Sequence, residues 1–496
     1  TSNGLGTISE LSSLLTAGRL SKDNMAAIES AYKAEAATNA TKGLLLAQQL
    51  IISSAEFHST GLVKRTLEKR SEPPSNAQSP RPYKAVIMLM FDGGMDSYNM
   101  LVPGCNGASR SYDEYAFYRG ELALQKDEIL PIDASASPSS TICDTFGLHN
   151  SLKGVQESYV AGDTVFFANI GALNRAVTKS NYLEETRTQL FAHNQMQTEV
   201  KQVDPFLKSP GTGVLGRLTD ALTALKFRTG PFSIEENSAP TLSGQPGVSP
   251  PSVIVSRDGV TPFDEKPHKF DELDVIPSLE ELHGATGLHS SLFGETWSSS
   301  VLTAITQNKD MEHSLGSTTL SADFPGGTLS EKFQIISKLI KSQDQRGTDR
   351  DVFYANYAGW DHHRYMKNNL RQKLDELDPV LDAFRTEMKA QSKWDQVVLV
   401  TASDFGRTLT PNSMKGSDHA WGGHYFAMGG SVKGKRILGD YPKMLNDFPQ
   451  DLFTLGPLNV DRGRMIPTHS NDAIWNAIAQ WMGVAEEHML DEVLPN

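Results

Sequence analysis

The chain has only two cysteines, Cys105 and Cys143, in 496 residues, so neither a disulfide framework nor a cysteine-rich zinc module holds it together. The pair either closes one bridge or stays as two buried thiols. A bridge over a loop of that length would stabilise the fold by about 4 kcal/mol on the chain-entropy model. No apolar run approaches the roughly 20 residues that cross a bilayer as a helix. Positive charge is also scarce: 46 Lys and Arg stand against 59 Asp and Glu, a net charge of −13, with no dense basic run. Nucleic acid needs a concentrated basic face, so that class of partner is excluded. The chain starts at Thr1 with no basic-plus-apolar leader, and the expectation is that a targeting segment has been removed from a secreted or cell-surface protein. The sequon Asn39-Ala40-Thr41 is compatible with that location.

What the chain does have is a globular composition, 39% hydrophobic and 21% charged, enough for a sizeable core. Three short apolar runs, 84–91, 351–357 and 396–401, each stop just before a carboxylate: Asp92, Asp361 and Asp404. Continuous apolar runs of this length read as strands buried on both faces of a parallel sheet. Helical periodicity over 329–342 and 368–389 supplies crossovers. The expectation is an α/β fold, a doubly wound and mostly parallel sheet with helices on both faces. Residues 1–70 read as an N-terminal helical segment, the proline-rich stretch 71–83 as a linker, and 84–496 as the α/β domain. A Ser-, Pro- and Gly-rich stretch, either an insertion subdomain or a set of long loops, interrupts that domain at about 228–329. It holds a strand at 252–256, a loop of mixed charge near 264–274, and helices near Ser278 and Thr296.

Open α/β sheets bind ligands at the carboxyl ends of their strands. Asp92 and Asp96 follow the first run, Asp361 and His363 the second, and Asp404 and Arg407 the third, with Asp418 and His419 shortly beyond. An acid in a strand-to-helix turn commonly caps the helix, and Asp92 by itself would be read that way. Three such clusters on one sheet edge instead predict a metal or anion site built from Asp92, Asp96, Asp361, His363, Asp404, Asp418 and His419. Mixed carboxylate and imidazole donors suit divalent transition ions, zinc or manganese, better than calcium or magnesium. Two such ions would activate a nucleophile and clamp the oxygens of a phosphoryl or sulfuryl group. Arg407 either contacts that tetraoxyanion through its guanidinium fork or forms a salt bridge with Asp404 or another neighbour.

The ordered motifs are Phe91-Asp-Gly-Gly-Met-Asp, Leu190-Phe-Ala-His-Asn-Gln-Met-Gln, Gly213-Val-Leu-Gly-Arg, Trp360-Asp-His-His, Thr401-Ala-Ser-Asp-Phe-Gly-Arg-Thr, Gly416-Ser-Asp-His-Ala-Trp-Gly-Gly-His and Pro467-Thr-His. Over about residues 84–485 they resemble domain of unknown function 1501, a family of exported proteins grouped with alkaline phosphatases, sulfatases and cofactor-independent phosphoglycerate mutases. The resemblance implies an alkaline phosphatase-like sheet, a two-metal site and a nucleophilic Ser, Thr or modified Cys at a helix start. It implies Asp92 as the first-strand ligand and Asp361 with His363 as the second pair, with Asp404, Asp418 and His419 completing the set. At the nucleophile this chain departs from the pattern. Where the family has Ser-His it carries Ala192-His193, and a methyl group cannot attack phosphorus or sulfur. Thr188, Thr198 and Ser180 are the hydroxyls left to take over. Phe405 follows Asp404 where superfamily sheets often carry His. His193 and Arg407 remain as candidate catalytic residues.

Residues 47–58 also resemble the closing helix of a helical uncharacterised family, which implies a longer fused precursor cut before Thr1. Two functional readings follow. One is a metal-binding, secreted hydrolase of small-molecule or polymer-borne phosphate or sulfate esters, its activity weakened or lost at Ala192. The other is a non-catalytic structural or binding component of an extracellular or cell-surface assembly, with protein partners. A fold outlives its chemistry, so resemblance alone does not choose between them.

Overall fold

A computed structural model describes residues 4–59, 81–105, 111–138, 142–234, 239–245, 248–256, 259, 275–284, 292–445 and 456–495. Most of the expected linker and the mixed-charge loop near 264–274 lie outside the described residues. The chain divides into two compact units, residues 1–78 with 260–316, and residues 79–259 with 317–496.

In the larger unit every residue from Ala85 to Phe91 is fully buried, as a run with no polar alternation requires. It forms β1 (Lys84–Asp92), followed in chain order by β2 (Leu101–Pro103), β3 (Ile129–Asp133), β4 (Thr145–His149), β5 (Thr164–Gly171), β6 (Thr229–Ile234) and β7 (Val253–Val255). The remaining strands are β8 (Arg350–Ala358), β9 (Val397–Ser403), β10 (Gly423–Met428), β11 (Arg436–Gly439) and β12 (His469–Ser470). The main sheet runs β11-β5-β10-β9-β1-β8-β6-β7, with β12 also pairing β5. All its pairings are parallel except the two that β10 makes, with β5 and β9. The expected mostly parallel α/β sheet is therefore present. A smaller antiparallel sheet, β2-β4-β3, lies beside it in sequence.

Period-two alternation sends Val86, Met88 and Met90 to one face of β1. There they join one core with Leu215, Leu218 and Leu222 of the helix Val214–Ala224 and Ile474 and Ile478 of the helix Asp472–Met482. The amphipathic helices Thr328–Lys341 and Met366–Ala390 pack on each other, the former also against β6 and β8. Cys105 and Cys143 are bridged, with Cα atoms 5.5 Å apart. That closes the choice left open by the composition. No described helix is long and apolar enough to cross a membrane.

Register positions the site. Asp92 pairs with Ala358 of β8, and Phe91 with Ser403 of β9. Three strands thus end level, and the segments at Gly93, Gly359 and Asp404 leave from one edge. Strand β10 runs the opposite way, so the segment 416–422 feeding it arrives at that same edge.

The smaller unit is helical: Gly4–Thr16, Lys22–Ala36 and Ala40–Ser53 share a core with the helix Ile276–Gly284 and with Ile305 of Leu292–Ser317, and a short helix, Ala55–His58, follows the third. Ile8, Ile28, Leu46, Leu50, Leu279 and Leu282 fill it. Asn39 of the sequon caps the third helix, its Oδ1 accepting the N–H groups of Thr41 and Lys42 at 3.0 and 3.1 Å.

Candidate metal centre

Two glycines let the strand-end segments meet. Gly93 has φ +121°, and a Cβ there would lie 2.6 Å from the Asp361 nitrogen. Gly94 has φ +76°, and a Cβ would overlap the Phe405 ring. Both conditions favour glycine. Arg407, fully buried, fastens the same segments. Its Nε donates to Gly94 O at 2.7 Å, Nη1 to Ser417 O at 2.6 Å, and Nη2 to Gly93 O at 2.6 Å and to Asp361 Oδ1. All three guanidinium nitrogens are thus engaged. The salt-bridge alternative for Arg407 is the one realised, with Asp361 as the partner, and the expected fork for a tetraoxyanion is not available.

Four side chains converge beside it. His363 Nε2 lies 3.0 Å from Asp361 Oδ1 and 2.9 Å from His419 Nε2. His419 Nε2 and His193 Nε2 lie 3.5 and 3.6 Å from the same carboxylate oxygen. His193, Asp361 and His419 each offer a donor atom within 4.8 Å of the others. Asp361 is half-exposed, its side chain at 47%, so the cluster opens outward.

The other nitrogen of each imidazole fixes its tautomer. His193 Nδ1 faces Asp404 Oδ2 at 2.6 Å, His363 Nδ1 faces Asp418 Oδ1 at 3.0 Å, and His419 Nδ1 faces the Phe191 carbonyl at 2.8 Å. All three partners only accept, so each Nδ1 carries a hydrogen and each ring turns its Nε2 toward the Asp361 carboxylate. His193 Nε2 is buried with no hydrogen-bond partner.

The His419 and His193 spacings to Asp361 Oδ1, 3.5 and 3.6 Å, are near the edge of a tetrahedron with zinc–ligand bonds of 2.0–2.1 Å, about 3.3 Å. Imidazoles backed by carboxylates and a carbonyl are also the usual outer surroundings of metal-binding histidines. The residues therefore fit a divalent transition ion.

The expected ligands separate into groups. Asp361, His363 and His419 come together, and His193 joins them, having been read from the sequence as catalytic. Asp404 and Asp418 stand behind the imidazoles. Asp404 accepts from both its histidine and Gln197 Nε2 (3.0 Å) and from Gly93 N at 3.2 and 3.3 Å. Burial would raise the Asp418 carboxyl, but Asn412, His363 and Arg462 bring it down to about 2. Arg407 likewise outweighs burial at Asp361 and holds that acid below the usual carboxylate range. Burial lowers His419, offset in part by its bond to Phe191.

Asp96 is elsewhere: it is fully buried, paired with Arg119 and accepting from Ser417 Oγ at 2.7 Å. Asp92 accepts from Asn356 Nδ2 at 3.1 Å through Oδ2, while its Oδ1 is buried without a partner. Burial raises its pKa.

Ala192 is the N-cap residue of the helix His193–Gln202, with no side-chain cap. The substitute hydroxyls are engaged away from the cluster: Thr188 on Glu199, Thr198 on Asn194 O, Ser180 with Thr178. Phe405, where a histidine was the alternative, packs 4.9 Å from the His193 ring and 4.8 Å from His419. Sequence reasoning missed Gln197, Asn412 and Arg462. Gln197 had a signal, four residues after His193 on one helix face; the other two had none.

Among solved structures the chain is similar to the C-terminal periplasmic domain of EcEptC from Escherichia coli in complex with Zn. Identity there is 8%, covering 82% of this chain and 84% of that one, with a TM-score of 0.35. It is similar also to a protein in the alkaline phosphatase superfamily from Vibrio parahaemolyticus (10%, 72% and 63%, 0.31). A third is the lipoteichoic acid synthase LtaP from Listeria monocytogenes (10%, 79% and 79%, 0.28). No curated protein matches. Residues 343–494, the stretch that holds Asp361, His363, Asp404, Arg407, Asp418 and His419, match the family described as Protein of unknown function (DUF1501).

Proposed function

We propose that this chain is a metal-binding protein of the phosphatase and sulfatase type, exported from the cell, that handles phosphate or sulfate esters without a covalent intermediate on the protein. The observation that carries the reading is the approach of three imidazole Nε2 atoms to within 3.6 Å of Asp361 Oδ1, with every Nδ1 bonded outward. A bound zinc or manganese ion would supply Lewis-acid polarisation of an ester oxygen. Ala192 offers no nucleophile at the helix start, and Arg407 is spent on backbone carbonyls. Anion recognition falls to Arg462 at the rim, whose side chain is 40% exposed and paired with Asp418. A cleft of about 490 Å³ is lined by Arg187, Thr188, Asn194, Gln195, Thr198 and Gln202 among others, several of them on the helix that His193 opens. Its amides and hydroxyls suit the hydroxyl-rich part of a sugar ester. The Cys105–Cys143 bridge supports an oxidising compartment.

The test is metal content and aryl phosphatase and sulfatase turnover of the purified protein beside Ala192→Ser. Bound zinc or manganese is expected, with low wild-type turnover that rises in the variant. A folded protein that binds no transition ion refutes the reading. Bound metal with no turnover in either form favours the second reading, a binding component that keeps its ion.

A further inference from the structure

We propose that the centre holds one ion rather than two, that His193 is one of its ligands, and that Lys201 and Lys332 supply at Asp92 the positive charge a second ion would bring. This rests on the metal reading above. A two-ion arrangement needs the acids at the ends of β1 and β9, Asp92 and Asp404, as free donors. Asp404 is engaged mainly elsewhere: its Oδ2 takes the His193 imidazole, the Gln197 amide and a share of the Gly93 N–H, and its Oδ1 the other share of that N–H. A carboxylate in this position orients its histidine.

Asp92 is in a different charge environment. Lys201, nearly buried, is the strongest opposite charge acting on it, and Lys332 acts in the same sense. Lys332 Nζ donates to Asn356 Oδ1 at 2.6 Å, and Asn356 Nδ2 donates to Asp92 Oδ2 at 3.1 Å, so an ammonium reaches the acid through one amide. Two buried lysines match the two strand-end carboxylates, buried Asp404 and half-buried Asp92. Adding a divalent ion there would leave two excess positive charges in a poorly solvated pocket, where uncompensated charge is costly. Phe405 also packs against both the His193 and His419 rings, which touch each other at 4.3 Å, with an apolar ring that offers no ligand. On the other side, His193, His419 and Asp361 already supply three donors within 4.8 Å of one another, and His363 Nε2 lies 3.0 Å from the same Asp361 oxygen.

The experiment strips the full-length protein with chelator, reloads it with zinc, removes excess ion, and measures zinc per chain for wild type, Asp92→Asn and His193→Gln. Circular dichroism confirms that each is folded. One zinc per chain is expected for wild type and for Asp92→Asn, with His193→Gln binding at least about 10-fold more weakly. Should His193→Gln not fold, cobalt-loaded wild type gives the second reading: intense visible bands of a four-coordinate site support the inference, and the weak bands of a six-coordinate one overturn it. Two zinc ions per chain overturn it while leaving the metal reading intact. So does loss of the ion in Asp92→Asn with retention in His193→Gln. No bound zinc in any folded form overturns both.

Discussion

Replacing Asp404 by Asn tests whether a residue that touches no ion sets the strength of the site. Asp404 is buried and accepts four contacts from three partners: Gly93 N at 3.2 and 3.3 Å, Gln197 Nε2 at 3.0 Å, and His193 Nδ1 at 2.6 Å. Asparagine keeps one acceptor oxygen and turns an NH₂ group toward the rest. If the oxygen stays with His193, the new amide faces the Gly93 N–H, donor against donor. If it flips, His193 loses its acceptor and its Nδ1–H tautomer is no longer enforced. An unsatisfied buried donor costs about 1–3 kcal/mol, so the metal-free protein should lose roughly that much stability in urea melts with chelator present. Loss of the carboxylate behind a metal-binding imidazole weakens metal affinity about 10–100-fold, or about 1.4–2.8 kcal/mol at 1.4 kcal/mol per decade. Competition for zinc against a chelating dye measures it directly. A zinc affinity within about 3-fold of wild type, in a protein that remains folded, would refute the claim that Asp404 acts by holding His193.

Three further outcomes follow from other parts of the molecule. Cys143→Ser removes the bridge across a separation of 38 residues and should lower unfolding free energy by about 4 kcal/mol on the loop-entropy model; a shift below about 1 kcal/mol would show that the loop is held by other contacts. Gly94→Ala places a methyl group on the Phe405 ring at a positive φ, so both strain and overlap apply, and thermal stability and zinc affinity should fall together. Burial depresses His149 from 6.5 to about 4 and His424 to about 3. The unfolded chain takes up these protons near pH 6.5 and the folded one only near pH 4 and 3, so stability rises with pH in between and is lost as pH falls through that window. At about 1.4 kcal/mol per pH unit, His149 alone contributes on the order of 3 kcal/mol. A urea midpoint that stays flat from pH 7 to pH 4 would contradict this.

The sheet was legible because a strand buried on both faces has no polar positions to disguise it. Residues 84–91, 351–357 and 396–401 became β1, β8 and β9 nearly as read. The sheet edge that carries the site was legible for the same reason. The division of labour there was not. Whether an acid binds an ion or backs a histidine depends on contacts between residues far apart in sequence: His193 with Asp404 across 211 positions, His363 with Asp418 across 55. Asp96 shares the spacing of a ligand, and only the burial of Arg119 against it shows that its charge is spent. The helices expected near Ser278 and Thr296 are present as Ile276–Gly284 and Leu292–Ser317, but they do not belong to an insertion in the α/β domain and instead share the core of the N-terminal helices. Hydrophobic periodicity says that a helix needs a partner and does not say which one.

Arg407 ties the Gly93, Asp361 and Ser417 segments together with a cation that is covalently part of the chain. The pocket is therefore braced before any ion arrives, and loading it orders little further backbone. An ion in such a frame should exchange with chelator in solution without the protein unfolding. Amide hydrogen exchange at residues 93–95 and 417–419 should then be nearly the same in the stripped and loaded forms. Occupancy would follow the free-ion concentration around the protein and would not be fixed once, at the moment of folding.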